Sequence, residues 1–190
     1  MQSHARGAMG SSGVCPVLSR GCRAGLRRLS AALALVVALL VPAGAEAQNR
    51  TWDVTSGLWS DTGSWQGGVL PLTTGTAVFS GPTVGTTAAT VLLGAPVEIR
   101  QLIFNSSGGA TLQSDSTDEQ LLTLGTGGIS MAATAGPVTI GASGSAVNLL
   151  LGGTQTWTNN SMTSQLTVLG LIDTPTGTNA LLTVAGVGTT

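Results

Sequence analysis

The sequence predicts an all-β protein, a right-handed parallel β-helix (solenoid) with a tryptophan-rich cap at its N-terminal end. Only 8% of the residues are charged, against about 25% in an average globular chain, while 42% are hydrophobic and 28 of 190 are glycine. Short runs of β-branched residues and leucine recur between glycines and threonines, as expected of short strands joined by tight turns. Three of the four tryptophans lie within residues 51–80. A stack of short strands closed at one end accounts for all three observations.

Residues 1–47 are predicted to be a signal peptide. Several arginines precede an apolar run over residues 29–41, which has the length of a signal-peptide core and is too short to span a bilayer. Pro42 ends this run, and the motif Ala45-Glu46-Ala47 matches a small-x-small cleavage site. We therefore expect cleavage between Ala47 and Gln48, and an exported protein located outside the cell or at the cell surface.

Cleavage of this leader would change the chemistry that the chain can perform. It removes both cysteines and the only histidine, and it leaves Arg50 and Arg100 against seven carboxylates, a formal charge of −5. A nucleic-acid partner needs a basic face to neutralise phosphates, so none is expected. Because the sequence has no lysine or tyrosine either, acid–base catalysis would depend on a few carboxylates. We expect no enzyme, no catalytic residue and no cofactor in this chain.

Residues 48–87 are predicted to form the cap. Trp52, Trp59 and Trp65 alternate with turn-forming residues, and the short apolar run 77–79 follows them. Terminal units of repeat folds need atypical residues to close the stack, and an indole can bury a large area there. The alternative is that the three tryptophans form an exposed platform that stacks on sugar rings, which would make this region a carbohydrate-binding module.

Residues 88–190 are predicted to form the solenoid repeats, incomplete at the C-terminus. The predicted strands are the runs 89–93, 97–104, 111–113, 120–124, 138–140, 147–151, 165–169 and 180–184. Two pairs of segments are nearly self-similar at an offset of sixteen residues, 122–125 with 138–141 and 166–170 with 182–186. This offset predicts the length of one solenoid turn, although a β-sandwich would give similar short strands. An incomplete last coil would expose an apolar edge, so we expect residues 48–190 to self-associate.

Two groups of carboxylates are candidates for chemistry. Asp115, Asp118 and Glu119 could hold a calcium ion through oxygen ligands, but the glycine of a tight EF-hand loop is absent and a solvated turn is favoured. Asp53 and Asp61 flank the tryptophans and could act as a carboxylate pair in glycoside hydrolysis, as in a polysaccharide-degrading β-helix enzyme. Both precede Ser/Thr-rich turns, where aspartate also serves the backbone.

Two stretches carry a resemblance to a known family. The first contains Trp52-Asp53, Trp59, Ser64-Trp65, Pro71 and the run 77–79; the second runs over residues 149–160 and continues in the Leu-Thr-Val segments at 166 and 182. They resemble bacterial proteins with autotransporter-associated β-strand repeats, and they cover most of the chain after the leader. The Thr76 position, often aspartate in that family, is a departure.

The resemblance implies a surface-displayed β-helical passenger that acts as a structural or adhesive surface protein of the outer membrane. Its partners would be extracellular or cell-surface polysaccharide, or the surface of a host or neighbouring cell. Attachment to the membrane would then depend on a C-terminal anchor beyond Thr190, and the chain would be a fragment. No catalytic residue is implied.

Overall fold

A computed structural model describes residues 48–81 and 85–190. The predicted leader, including Ala47 at the proposed cleavage site, lies outside the described residues. Residues 48–190 belong to one compact unit, so the predicted cap and the predicted repeats are parts of the same body. In the two described ranges, no helix has the length and hydrophobicity needed to cross a membrane.

The described residues contain thirteen β-strands and one short 3-10 helix, η1 (Thr62–Ser64). The strands are β1 (Asn49–Thr51), β2 (Ser56–Leu58), β3 (Thr76–Phe79), β4 (Ala89–Leu93), β5 (Val97–Phe104), β6 (Ala110–Ser114), β7 (Gln120–Met131), β8 (Val138–Ile140), β9 (Val147–Leu151), β10 (Gln155–Asn159), β11 (Leu166–Val168), β12 (Ile172–Asp173) and β13 (Leu182–Gly186). All the pairings between these strands are parallel.

The strands stack into a β-solenoid of about five turns, which confirms the predicted fold class. Face 1 is the sheet β2-β4-β6-β8-β11. Face 2 consists of the first halves of β5 and β7 followed by β9 and β12, and face 3 consists of β1, β3, the second halves of β5 and β7, β10 and β13. A register shift between Ile99 and Gln101 separates the two halves of β5. Parallel strands cannot be joined by hairpins, so the chain winds around the core between them.

One turn of the solenoid is longer than the sequence pattern predicted. On face 3, paired residues are separated by 25 to 28 positions, for example Phe79 with Phe104 and Ile129 with Trp157. The sixteen-residue offset is therefore wrong as a turn length. Residues 122–125 begin on face 2, in β7, whereas residues 138–141 begin on face 1, in β8. The two segments of each self-similar pair lie on different faces of the solenoid. They therefore do not stack on each other in successive turns.

The core is formed by columns of inward-facing side chains, because alternate residues of each strand point inward. On face 3 one column is Trp52, Phe79, Phe104, Met131 and Asn159, and the next is Ala77, Leu102, Ile129 and Trp157. The rings of Phe79 and Phe104 stack on successive turns with centroids 4.8 Å apart and an interplanar angle of 11°. This packing ties each turn to the next through side chains as well as through backbone hydrogen bonds.

Candidate binding surfaces

The three cap tryptophans form one buried cluster. Trp65 lies between the other two indoles, with ring centroids 5.1 Å from Trp52 and 4.9 Å from Trp59, both in edge-to-face arrangements. The exposed fractions are 0% for Trp52, 7% for Trp59 and 2% for Trp65. The cluster rests on Phe79 of the first inward column. The tryptophans therefore cap the core, as predicted, and they do not form an exposed platform.

The cap also covers the backbone edge of the first turn. β1 pairs with β3 on one side, and on the other side the segment 64–66 runs antiparallel to residues 51–53, which are the last residue of β1 and the two that follow it. The Asp53 N–H donates to the Ser64 carbonyl at 2.9 Å, and the Gln66 N–H donates to the Thr51 carbonyl at 2.8 Å. An uncovered strand edge invites pairing with another chain. The cap removes that hazard over residues 51–53, at the C-terminal end of β1 and just after it.

A groove of about 200 Å³ remains beside the least buried cap indole. Trp59 and Ser60 line one part of it, and the turn 94–97 with Glu98 lines another part. The Glu98 side chain is exposed. In this groove a small ligand could contact the Trp59 indole and the Glu98 carboxylate together.

The acidic turn between β6 and β7 does not gather its carboxylates. Asp115, Asp118 and Glu119 are all exposed, and the Glu119 carboxylate accepts a hydrogen bond from the Asn148 side-chain amide at 2.8 Å. In the part of the chain that the structure describes, no three His, Cys, Asp or Glu side chains form a group that could hold a metal ion. Glu119 instead links the turn to the following coil.

The two cap aspartates occupy turn positions. Asp61 is the N-cap of η1, and its Oδ1 accepts a hydrogen bond from the Gly63 N–H at 2.9 Å. Asp53 is half-buried beside Gly81. Gln48, the residue expected to follow the cleavage site, is exposed, and its carbonyl accepts a hydrogen bond from the Thr76 N–H at 3.1 Å.

A column of threonines on face 1 is a feature that the sequence pattern did not single out. Strand pairing places Ser56, Thr90, Thr111, Thr139 and Thr167 in one register column. The inward residues on either side of each threonine are buried in β4, β6 and β8, so the threonines point outward. Within the described residues, no hydrogen bond engages the four threonine hydroxyls, and the five strands carry no charged side chain.

In the sequence, this column corresponds to the threonine in each short face 1 run. The shared position becomes apparent only when the strands of face 1 are aligned with one another. Comparisons with protein-family models, with curated proteins and with solved structures found no match for this chain.

Proposed function

We propose that the protein is a secreted, surface-displayed structural or adhesive protein, with no catalytic role for these residues. The observation that carries the proposal is the stack of parallel turns in register, closed at its N-terminal end by the tryptophan cap. Each turn is fixed to the next by backbone ladders and by a continuous core, which makes the body a stiff spacer. Such a spacer is suited to holding a contact surface away from the point of attachment.

The threonine column on face 1 is the contact surface that we propose for adhesion. Its hydroxyls repeat at the spacing of adjacent strands, about 4.8 Å, and they are free to bond with an external partner. An extracellular or cell-surface polysaccharide presents a repeating row of hydroxyls that can both donate and accept hydrogen bonds. The absence of charge on the strands of this face favours such a neutral partner over a polyanion.

Export and display are supported by the predicted leader and by the resemblance to proteins with autotransporter-associated β-strand repeats. The test is to express the full chain in a bacterium and to determine the N-terminus of the protein found outside the cytoplasm by mass spectrometry. A mature protein that begins at Gln48 is expected. Retention of the intact chain in the cytoplasm would overturn the proposal of secretion.

Adhesion is tested by co-sedimentation of the protein with insoluble polysaccharides and with whole cells. The double variant Thr111→Val/Thr139→Val removes two hydroxyls of the column with little change of shape, and it should weaken binding several-fold. The control Thr158→Val lies on face 3 and should bind as the parent chain does. Equal binding by all three proteins would contradict a role for the column. Release of new reducing ends from the polysaccharide would contradict a non-catalytic role.

A second candidate function is carbohydrate binding at the groove beside Trp59. The observation in its favour is that the groove combines an indole, a serine and the exposed Glu98 carboxylate. Titration with soluble oligosaccharides should change the tryptophan fluorescence of the parent chain, and Glu98→Gln should reduce that change. If the tryptophan fluorescence of the parent chain does not change during the titration, this second candidate function is excluded. That result would leave the proposal of adhesion through the threonine column unaffected.

A further inference from the structure

Gln48 is the residue that the predicted cleavage would place at the N-terminus of the exported protein. Its side chain is exposed, and its backbone carbonyl accepts the Thr76 N–H at 3.1 Å. β1 begins at the next residue and pairs with β3. A chemical change confined to the nitrogen and the side chain of Gln48 would therefore leave its hydrogen bond to the first turn in place.

The Arg50 guanidinium lies next to the Gln48 carboxamide. Alternate residues of an extended chain point to the same side, so these two side chains are neighbours. Nη2 of Arg50 donates a hydrogen bond to Oε1 of Gln48. Arg50 is half-buried because it pairs with Ala77, at the start of an inward column, and in the described ranges its Nε is buried without a hydrogen-bond partner. The side chain thus directs a donor at the Gln48 carboxamide oxygen from a position fixed by the first turn.

A glutamine with a free α-amine can close into a lactam. The amine nitrogen attacks the side-chain carbon Cδ, and negative charge develops on Oε1 in the tetrahedral intermediate. The bond between Cδ and the amide nitrogen then breaks, and that nitrogen leaves with the displaced proton as ammonia. The product is pyroglutamate, and no oxidant, reductant or further reactant is consumed. Because the Arg50 donor is already placed at Oε1, where the charge develops, it stabilises the intermediate.

The same guanidinium also favours the reactive form of the amine. An unperturbed α-amine has a pKa of about 7.7–8.0, and only its neutral form is a nucleophile. To reach Cδ, the amine must approach the guanidinium that is bound at Oε1. A nearby like charge disfavours the protonated amine. Ring closure then replaces a cation beside Arg50 by a neutral amide.

We propose that Gln48 of the exported protein is modified to pyroglutamate and that Arg50 promotes the ring closure. The proposal rests on the proposed export, since cleavage after Ala47 supplies this N-terminus. The sequence contains no lysine, so the α-amine of Gln48 is the sole primary amine that residues 48–190 would have. Its loss leaves the mature protein with no primary amine and gives an aminopeptidase no free N-terminus to recognise.

The first test uses the full chain, exported from a bacterium and purified from outside the cytoplasm. The intact mass should be lower than that of residues 48–190 by one ammonia, and an amine-reactive dye should not label the folded or the unfolded protein. The control Gln48→Ser keeps an amine and cannot cyclise, so it should carry one dye per chain. An exported protein that begins at Gln48 and keeps its amine on prolonged incubation would overturn the modification and leave export intact. An exported protein that begins at another residue would overturn the cleavage site as well.

A second measurement sets the start of the reaction without export. A removable N-terminal fusion, cut by a protease that leaves Gln48 as the first residue, exposes the amine at a known time, and mass spectrometry follows the loss of ammonia. Arg50→Gln should slow this loss several-fold. The matched control Arg100→Gln should react as the parent chain does, because the Arg100 guanidinium bonds to Thr74 and Thr76. Equal rates for Arg50→Gln and the parent chain would overturn the role of Arg50, and a parent chain that keeps its amine would overturn the whole proposal.

Discussion

The Trp65 indole N–H donates to the carbonyl oxygen of Trp59 at 2.8 Å, and this hydrogen bond is buried. It connects the loop that precedes η1 with the segment 64–66, which pairs with residues 51–53. The cap is therefore held by a polar contact at its centre and by ring packing around it. A buried indole needs a partner for its N–H, and the Trp59 carbonyl supplies that partner.

We expect Trp65 to be the most sensitive position of the cap. Trp65→Phe keeps an aromatic ring but leaves the Trp59 carbonyl without its donor, and it should lower the free energy of unfolding by about 1–3 kcal/mol. Trp65→Ala also opens a cavity and should cost about 3–5 kcal/mol. Urea denaturation followed by circular dichroism measures both changes. Val69→Ala alters an exposed side chain of the same loop and should change stability by less than about 0.5 kcal/mol.

Asn159 is a polar residue in the apolar column of face 3, and it is fully buried. Its amide donates to the carbonyl oxygens of Ser164 at 3.0 Å and Thr189 at 2.6 Å, and its Oδ1 accepts from the Ser161 N–H at 3.0 Å. Asn159→Ala leaves the Ser164 carbonyl and the Ser161 N–H without these partners, whereas the Thr189 carbonyl keeps the Leu166 N–H at 3.2 Å, and it should cost about 2–3 kcal/mol.

Hydrogen exchange at the Ser161 amide measures this loss locally, and urea denaturation measures it globally. Asn160→Ala is the matched control, because Asn160 is the exposed neighbour. If both variants lose stability equally, the hydrogen bonds of Asn159 do not hold the last corner.

Gly128 marks the position where β7 passes from face 2 to face 3. It has φ +62°, and a Cβ placed on it would overlap the Thr156 carbonyl oxygen of the next turn. Gly144 has φ +79° but faces open space. Gly144→Ala should therefore cost about 1–2 kcal/mol for its backbone conformation alone. Gly128→Ala should cost clearly more, because two turns must also separate. If denaturation shows that both variants lose the same free energy of unfolding, the two turns can separate at Gly128 at little cost.

Calcium should have no effect on stability. The carboxylates of Asp115, Asp118 and Glu119 are exposed and separate, and Glu119 already bonds to Asn148. We expect the melting temperature to agree within about 1 °C in millimolar calcium and in a chelator, since a ligand stabilises only in proportion to its binding to the folded state. A rise of several degrees with calcium would establish a site that the described geometry does not show.

Most strands could be predicted from the sequence because inward apolar residues alternate with outward polar residues along each strand. The runs at 89–93, 97–104, 138–140 and 147–151 coincide with β4, β5, β8 and β9. β10 was missed because its inward residues include Gln155 and Asn159, which are polar but buried with hydrogen-bond partners. An alternation of apolar and polar residues cannot identify a strand whose interior is partly polar.

The turn length could not be predicted, because the same short pattern serves every face. Leu-Thr-Leu in β7, Val-Thr-Ile in β8 and Leu-Thr-Val in β13 all place two apolar residues inward around an outward threonine. Similar segments therefore share only the alternation of inward apolar and outward polar residues. The length of a turn depends on the corners between the strands, and the corner lengths vary along the chain. The cap was predictable at the level of residue type, since three tryptophans lie within residues 52–65 and tryptophan does not recur until Trp157. The contacts between the cap tryptophans could not be predicted from the sequence.

The closed N-terminal end also has a consequence for the order of folding. A parallel strand needs a neighbouring strand to pair with, and in a chain that emerges N-terminus first the cap with β1 offers the first such edge. If the chain emerges N-terminus first, each newly emerged stretch of 25 to 28 residues can add to the turn before it, without waiting for the rest. The protein can then grow as a templated process with a fixed starting point, and a defect in the cap would delay every turn that follows.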